Sequence, residues 1–138
     1  MFGSHRNAAK AYSNVSLETG VTTASPHQLI TMLFDGALVA MVTAKHHMEN
    51  GEIFEKGQAI SKAILIIDSG LRGGLNFEAG DGELSQNLNS LYLYMSEQLM
   101  QANLKNDPAI LDEVYRLLSE IKSAWVAIGI QSNTSVGV

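Results

Sequence analysis

Histidines and carboxylates are the side chains best able to do chemistry in this sequence, and their spacing shows what that chemistry could be. His46 and His47 are adjacent, so on a helix they point about 100° apart and cannot chelate one ion as residues four positions apart can. Asp35, Asp68 and Glu83 have no second carboxylate at a spacing suited to paired acid and base work, and no Glu-x-x-His pattern is present. We therefore expect no enzyme activity, no metal and no cofactor.

Composition limits the protein class further. A chain of 138 residues with 46% hydrophobic residues is the size of one domain and can form a real core. It has no cysteine, which excludes disulfides and thiolate metal sites and favours the cytosol. A net charge of -5 argues against nucleic acid and anionic membranes as partners. The longest apolar run, residues 37–42, is far shorter than the ~20 residues of a membrane span, so we expect a soluble cytosolic protein without stable membrane insertion.

The helices that must position any site follow from capping and stop signals. Ser25, Pro26 and Gln28 form a capping box with proline at the first helical position, and Asp107 before Pro108 starts the last helix in a similar way. Glycines and asparagines separate four segments of about twenty residues, ending near residues 48, 72, 104 and 128. The prediction is all-α, an antiparallel up-down four-helix bundle over residues 25–128. Residues 1–24 form an extended arm, and residues 129–138 form a loose, disordered tail.

Three of the four predicted helices carry more apolar surface than one core can bury. A step of about 100° per residue places Ile53, Leu84, Leu91, Met41 and Met95 on core faces. Apolar residues outside those faces are Met32, Val39 and Val42 on helix one, Phe54, Leu65 and Ile66 on helix two, and Leu93, Met100 and Leu104 on helix three. An irregular bundle, coverage by loops or by the arm, and burial against identical subunits each account for such stripes. Exposed apolar stripes on several helices favour a binding surface for a partner protein.

Four segments, in order, resemble the FliS family of flagellin-specific export chaperones. They are TASPHQLITMLFDGAL at residues 23–38, preceded by Ala11 and Tyr12, then GELSQNL and LYLYM at residues 82–95, and IKSAW at residues 121–125. The resemblance covers about residues 8–128. His27 departs from it, because an acidic residue is common at that position.

The resemblance implies a bundle that holds the disordered C-terminal segment of flagellin in the cytoplasm, prevents premature polymerisation and assists delivery to a component of the membrane-embedded export gate. It further implies that the arm around Tyr12 acts as a lid on the apolar surface of the free protein. From the stripes we hypothesise that the residues binding flagellin are Met32, Val39, Val42, Ile66, Leu93, Met100 and Leu104. Weak self-association through the same surface stays open.

Overall fold

The computed structural model describes the backbone of residues 24–136 and the side chains as far as Gly129. Helix α1 spans Pro26–Glu49, and α2 spans Ile53–Leu65 before continuing as a π-helical segment, Ile66–Arg72. Helix α3 spans Glu83–Lys105, and α4 spans Pro108–Val136. Within residues 24–136 there is no strand, and the helices pack as an all-α bundle, which confirms the predicted fold class. The predicted arm and its Tyr12 lie outside the described residues, apart from Ala24.

The predicted helix starts are confirmed in atomic detail. Ser25 Oγ accepts a hydrogen bond from the Gln28 N–H at 3.1 Å, and the Ser25 N–H donates to Gln28 Oε1 at 2.8 Å, which completes the capping box. At α4, Asp107 Oδ1 accepts from the Ala109 N–H at 3.0 Å. Asn106, with φ of 52°, adopts the left-handed conformation that ends α3. Local chemistry therefore determines where these helices begin and end.

Helix α1 is the central element of the core. It supplies eight of the buried residues, among them Leu33, Phe34 and Met41. By length and composition α1 is apolar enough to cross a membrane, but the core helix of a bundle has the same character. Met41 and Met95 are 2% and 0% exposed, as predicted for core methionines.

Three residues predicted to be core lie at the surface. Ile53 is 61% exposed, Leu84 67% and Leu91 40%. Ile53 is the first residue of α2 and Leu84 the second of α3, so both stand in a first turn, where fewer neighbouring side chains cover them. Helical periodicity predicts which side of a helix is apolar, but it does not predict how far the neighbouring helix covers that side.

Two predicted boundaries are wrong. The second helix is not α-helical throughout, because its last two turns widen into the π-helical segment. The fourth helix does not end at Gly129 but continues to Val136. Gly129 is not among the glycines with positive φ, so it lacks the left-handed conformation by which a glycine terminates a helix. The expected loose tail is helical through residue 136.

Candidate functional site

An open groove of about 1220 Å³ lies between α1 and α2. Its α1 wall extends from Asp35 to His47 and its α2 wall from Ile53 to Leu65. Twelve residue steps along a helix cover about 18 Å, so each wall is a little over three turns long. The two helices are joined by a turn of only three residues, which makes their directions opposite.

The floor of the groove is made of small residues and its rim of large apolar ones. Gly36 and Ala40 of α1 and Gly57 and Ser61 of α2 line it. A β-carbon added at Gly57 would meet nothing within 4 Å, so the floor is open to an approaching chain. The apolar side chains that line the groove while exposed to solvent are Val39 at 64%, Ile53 at 61%, Phe54 at 72% and Leu65 at 43%. Apolar surface concentrated in this way typically marks a site for a partner protein.

Charged residues flank the apolar surface. At one end of the groove His47 Nδ1 lies 2.8 Å from Glu52 Oε1, and at the other Asp35 is paired with Lys122 of α4. Glu55 and Lys62 also line the groove, and neither has an ion-pair partner among the described residues. The groove thus combines an apolar centre with polar ends.

A buried lysine holds the α2 wall against α3. Lys56 is only 4% exposed, and its Nζ donates hydrogen bonds of 3.0 Å to the Asn103 carbonyl oxygen and 3.0 Å to Asn106 Oδ1. These acceptors are at the C-terminal end of α3, where the helix dipole favours a positive charge. Lys56 lies two positions after Phe54, so this contact fixes the part of α2 that presents the most exposed aromatic side chain of the rim.

A second apolar surface, the α3 stripe, consists of Leu93, Met100 and Leu104. These residues are 45%, 50% and 79% exposed, so the exposure predicted for them is confirmed. None of the three lines the groove, although Asn103 of α3 does. The protein therefore presents two apolar surfaces.

The remaining predicted site residues fall in different places. Val39 lines the groove, Val42 is 56% exposed outside its lining, and Met32 is half-buried outside it. The prediction that Ile66 lies at the surface is wrong: it is 0% exposed, because the π-helical segment that it opens packs into the core. The grouping of Val39 with Ile53, Phe54 and Leu65 was missed, since a helical wheel does not show which faces of two helices meet.

The titratable groups show no arrangement suited to catalysis. Burial raises the pKa of Tyr92, and a hydrogen bond to Glu113 raises the pKa of Tyr94. A hydrogen bond and attraction from Asp112 raise the pKa of Lys45. None of these three residues lines the groove. Within the described part of the chain, no three His, Asp or Glu side chains group as a metal site would require. The arrangement is one that binds apolar surface.

Comparisons with known proteins give the family. A family model described as "Flagellar protein FliS" matches residues 8–132. The flagellar secretion chaperone FliS of Salmonella typhimurium is 55% identical over 119 residues, covering 86% of this chain and 87% of that protein. The chaperone FliSB of Pseudomonas aeruginosa is 49% identical over 121 residues, covering 88% and 94%. FliS of Escherichia coli is 47% identical over 116 residues, covering 84% and 85%. Helices, groove and similarity agree, and the chain belongs to the FliS family of flagellar secretion chaperones.

Proposed function

We propose that this protein acts in the cytoplasm, where it binds the disordered C-terminal segment of flagellin, prevents premature polymerisation and assists delivery to the export gate. The observation that carries the proposal is the groove between α1 and α2, with four large apolar side chains exposed along its rim. Its relatives are named flagellar secretion chaperones, which agrees with a role in binding another protein rather than in catalysis.

The energetics favour a long ligand over a compact one. A disordered segment that folds on binding loses several kcal/mol of conformational entropy, so useful affinity requires a large apolar contact area. The groove and the α3 stripe together offer such an area on two sides of the bundle. Met100 is half exposed, and the flexible thioether side chain adapts to different partners at low cost. We expect one segment to occupy both surfaces.

The arm, residues 1–24, is proposed to cover part of this apolar surface when flagellin is absent, with Tyr12 as its anchor. A lid of this kind protects the surface from aggregation, and it weakens the apparent affinity by the free energy needed to displace it. Deleting residues 1–20 should therefore tighten flagellin binding and increase self-association.

Calorimetric titration against the C-terminal segment of flagellin from the same organism tests the proposal, with the N-terminal flagellin segment as control. We expect saturable binding of the C-terminal segment alone, with a negative heat-capacity change from apolar burial. Phe54→Ser should weaken it, whereas Tyr115→Ser, at a 39% exposed residue outside the groove lining and the α3 stripe, should not. Absence of binding by folded protein would refute the proposal, and sedimentation at several concentrations would then test whether a second copy fills the groove.

A further inference from the structure

The charges along the groove have a direction. His47 is matched by Glu52 at one end, and Asp35 is matched by Lys122 at the other. This leaves Glu55 and Lys62 as the lining charges without an ion-pair partner among residues 24–129. Seven positions on α2 separate them, which is about two turns or 10 Å along the same face of the helix. The groove therefore has a negative group near its Ile53 end and a positive group near its Leu65 end.

A helix placed in this groove would feel that difference. The N-terminus of a helix carries a partial positive charge and its C-terminus a partial negative charge. A helix of about three turns matches the 18 Å length of the walls, so its two ends would lie near the two ends of the groove. The favourable arrangement places the N-terminus near Glu55 and the C-terminus near Lys62.

We propose that the groove binds an amphipathic helix of about three turns in one direction, parallel to α2 and antiparallel to α1, with basic side chains in its first turn and acidic ones in its last. The small residues of the floor admit the apolar face of that helix between α1 and α2, while Glu55 and Lys62 determine its direction. The inference rests on the proposed function in one respect, since it takes the helix to come from the C-terminal segment of flagellin.

Paramagnetic labelling measures the direction. The chain has no cysteine, so Asn50→Cys and Ser69→Cys each give one attachment point for a nitroxide. Both residues are exposed, neither lines the groove, and they stand beyond its Ile53 and Leu65 ends respectively. With isotopically labelled flagellin segment bound, the label at 50 should broaden signals from the start of the groove-bound helix, and the label at 69 signals from its end. The reverse pattern, or equal broadening at both ends, overturns the proposal.

A second experiment separates this inference from flagellin binding. Two designed helical peptides of identical composition, about 12 residues long, carry basic-then-acidic or acidic-then-basic charges around the same apolar face. We expect the basic-first peptide to bind about threefold tighter after correction for free helicity, as two exposed charge pairs would produce. The preference should shrink as salt is raised.

Reversing the groove charges supplies the matched control. In the double variant Glu55→Lys, Lys62→Glu the preference should invert, so the comparison of four affinities cancels any difference in peptide helicity. An unchanged preference, or binding of neither peptide, overturns the inferred direction. If the peptides behave as expected but flagellin does not bind, only the proposed function fails.

Discussion

The imidazole of His27 at the start of α1 stacks on the indole of Trp125 in α4, with ring centroids 4.4 Å apart and planes within 7°. His27 Nε2 lies 2.8 Å from the Trp125 carbonyl oxygen, and Trp125 Nε1 donates to the His27 carbonyl oxygen at 3.2 Å. The two residues are 98 positions apart, so the contact ties together the two ends of the bundle. Because Nε2 faces a carbonyl, the ring must donate from Nε2 in this arrangement.

Gly129 makes that contact possible, and its replacement should be costly. A β-carbon at position 129 would overlap the His27 ring. Gly129→Ala must therefore displace the imidazole from Trp125, and we expect a loss of about 1–3 kcal/mol in the free energy of unfolding, as for overpacking elsewhere. Urea denaturation followed by the fluorescence of the single tryptophan measures it.

The matched control is Gly57→Ala, in the interior of α2. A β-carbon there meets nothing within 4 Å, so the better helix propensity of alanine should stabilise the protein by up to about 1 kcal/mol. Equal effects of the two substitutions would contradict the role assigned to Gly129.

Lys56 should stabilise the protein far more than an exposed lysine does. Lys56→Met removes the donor to the Asn103 carbonyl and to Asn106 Oδ1, leaving buried acceptors at the end of α3 unsatisfied. We expect a loss of about 1–3 kcal/mol in the free energy of unfolding. Lys45→Met is the control, since Lys45 pairs with Asp112 at the surface and should change stability little. A similar loss in both variants would argue against the Lys56 contact.

The features predicted correctly from sequence are those that depend on nearby residues. Ser25 with Gln28, and Asp107 with Ala109, interact within three positions, so the sequence alone predicts those helix starts. Ile66 was placed at the surface because a step of 100° per residue was assumed, whereas the turn widens into a π-helical segment from that residue onward. Gly129 looked like a stop signal, but its role depends on His27, almost a hundred residues away.

Buried Tyr92 should make the protein less stable in alkali. Tyr92 is 3% exposed, and burial raises the pKa of its hydroxyl above the ordinary value of 10.0. The folded state therefore keeps Tyr92 protonated where the unfolded chain ionises it. The unfolded state then binds fewer protons, so stability is complete below about pH 10 and falls as pH rises above it. Urea denaturation between pH 8 and 11.5 should show a shallower fall for Tyr92→Phe than for the wild type.

Tyr94→Phe is the control for the alkaline experiment. Its hydroxyl donates to Glu113 at 2.6 Å at the surface, which raises the pKa of Tyr94 in the same direction. Solvent screening at this exposed site should make its effect on the pH dependence smaller. Lysine ionisation contributes equally in all three proteins, so it does not affect the comparison. An identical fall in wild type and Tyr92→Phe would contradict the prediction.

Met100 and Ile66 distinguish the surface of this protein from its core. Met100→Asp places a carboxylate at a half-exposed position of the α3 stripe, so we expect the helical circular dichroism and unfolding midpoint to stay near those of the wild type while flagellin binding weakens. Ile66→Ala removes a side chain that is 0% exposed and should cost about 2–5 kcal/mol in the free energy of unfolding. At temperatures where Ile66→Ala is still folded, its flagellin affinity should match that of the wild type, because the side chain has no surface to offer a ligand. Retained binding by folded Met100→Asp would exclude Met100 from the binding surface, and unfolding of that variant would show that the stripe is packed against residues beyond those described.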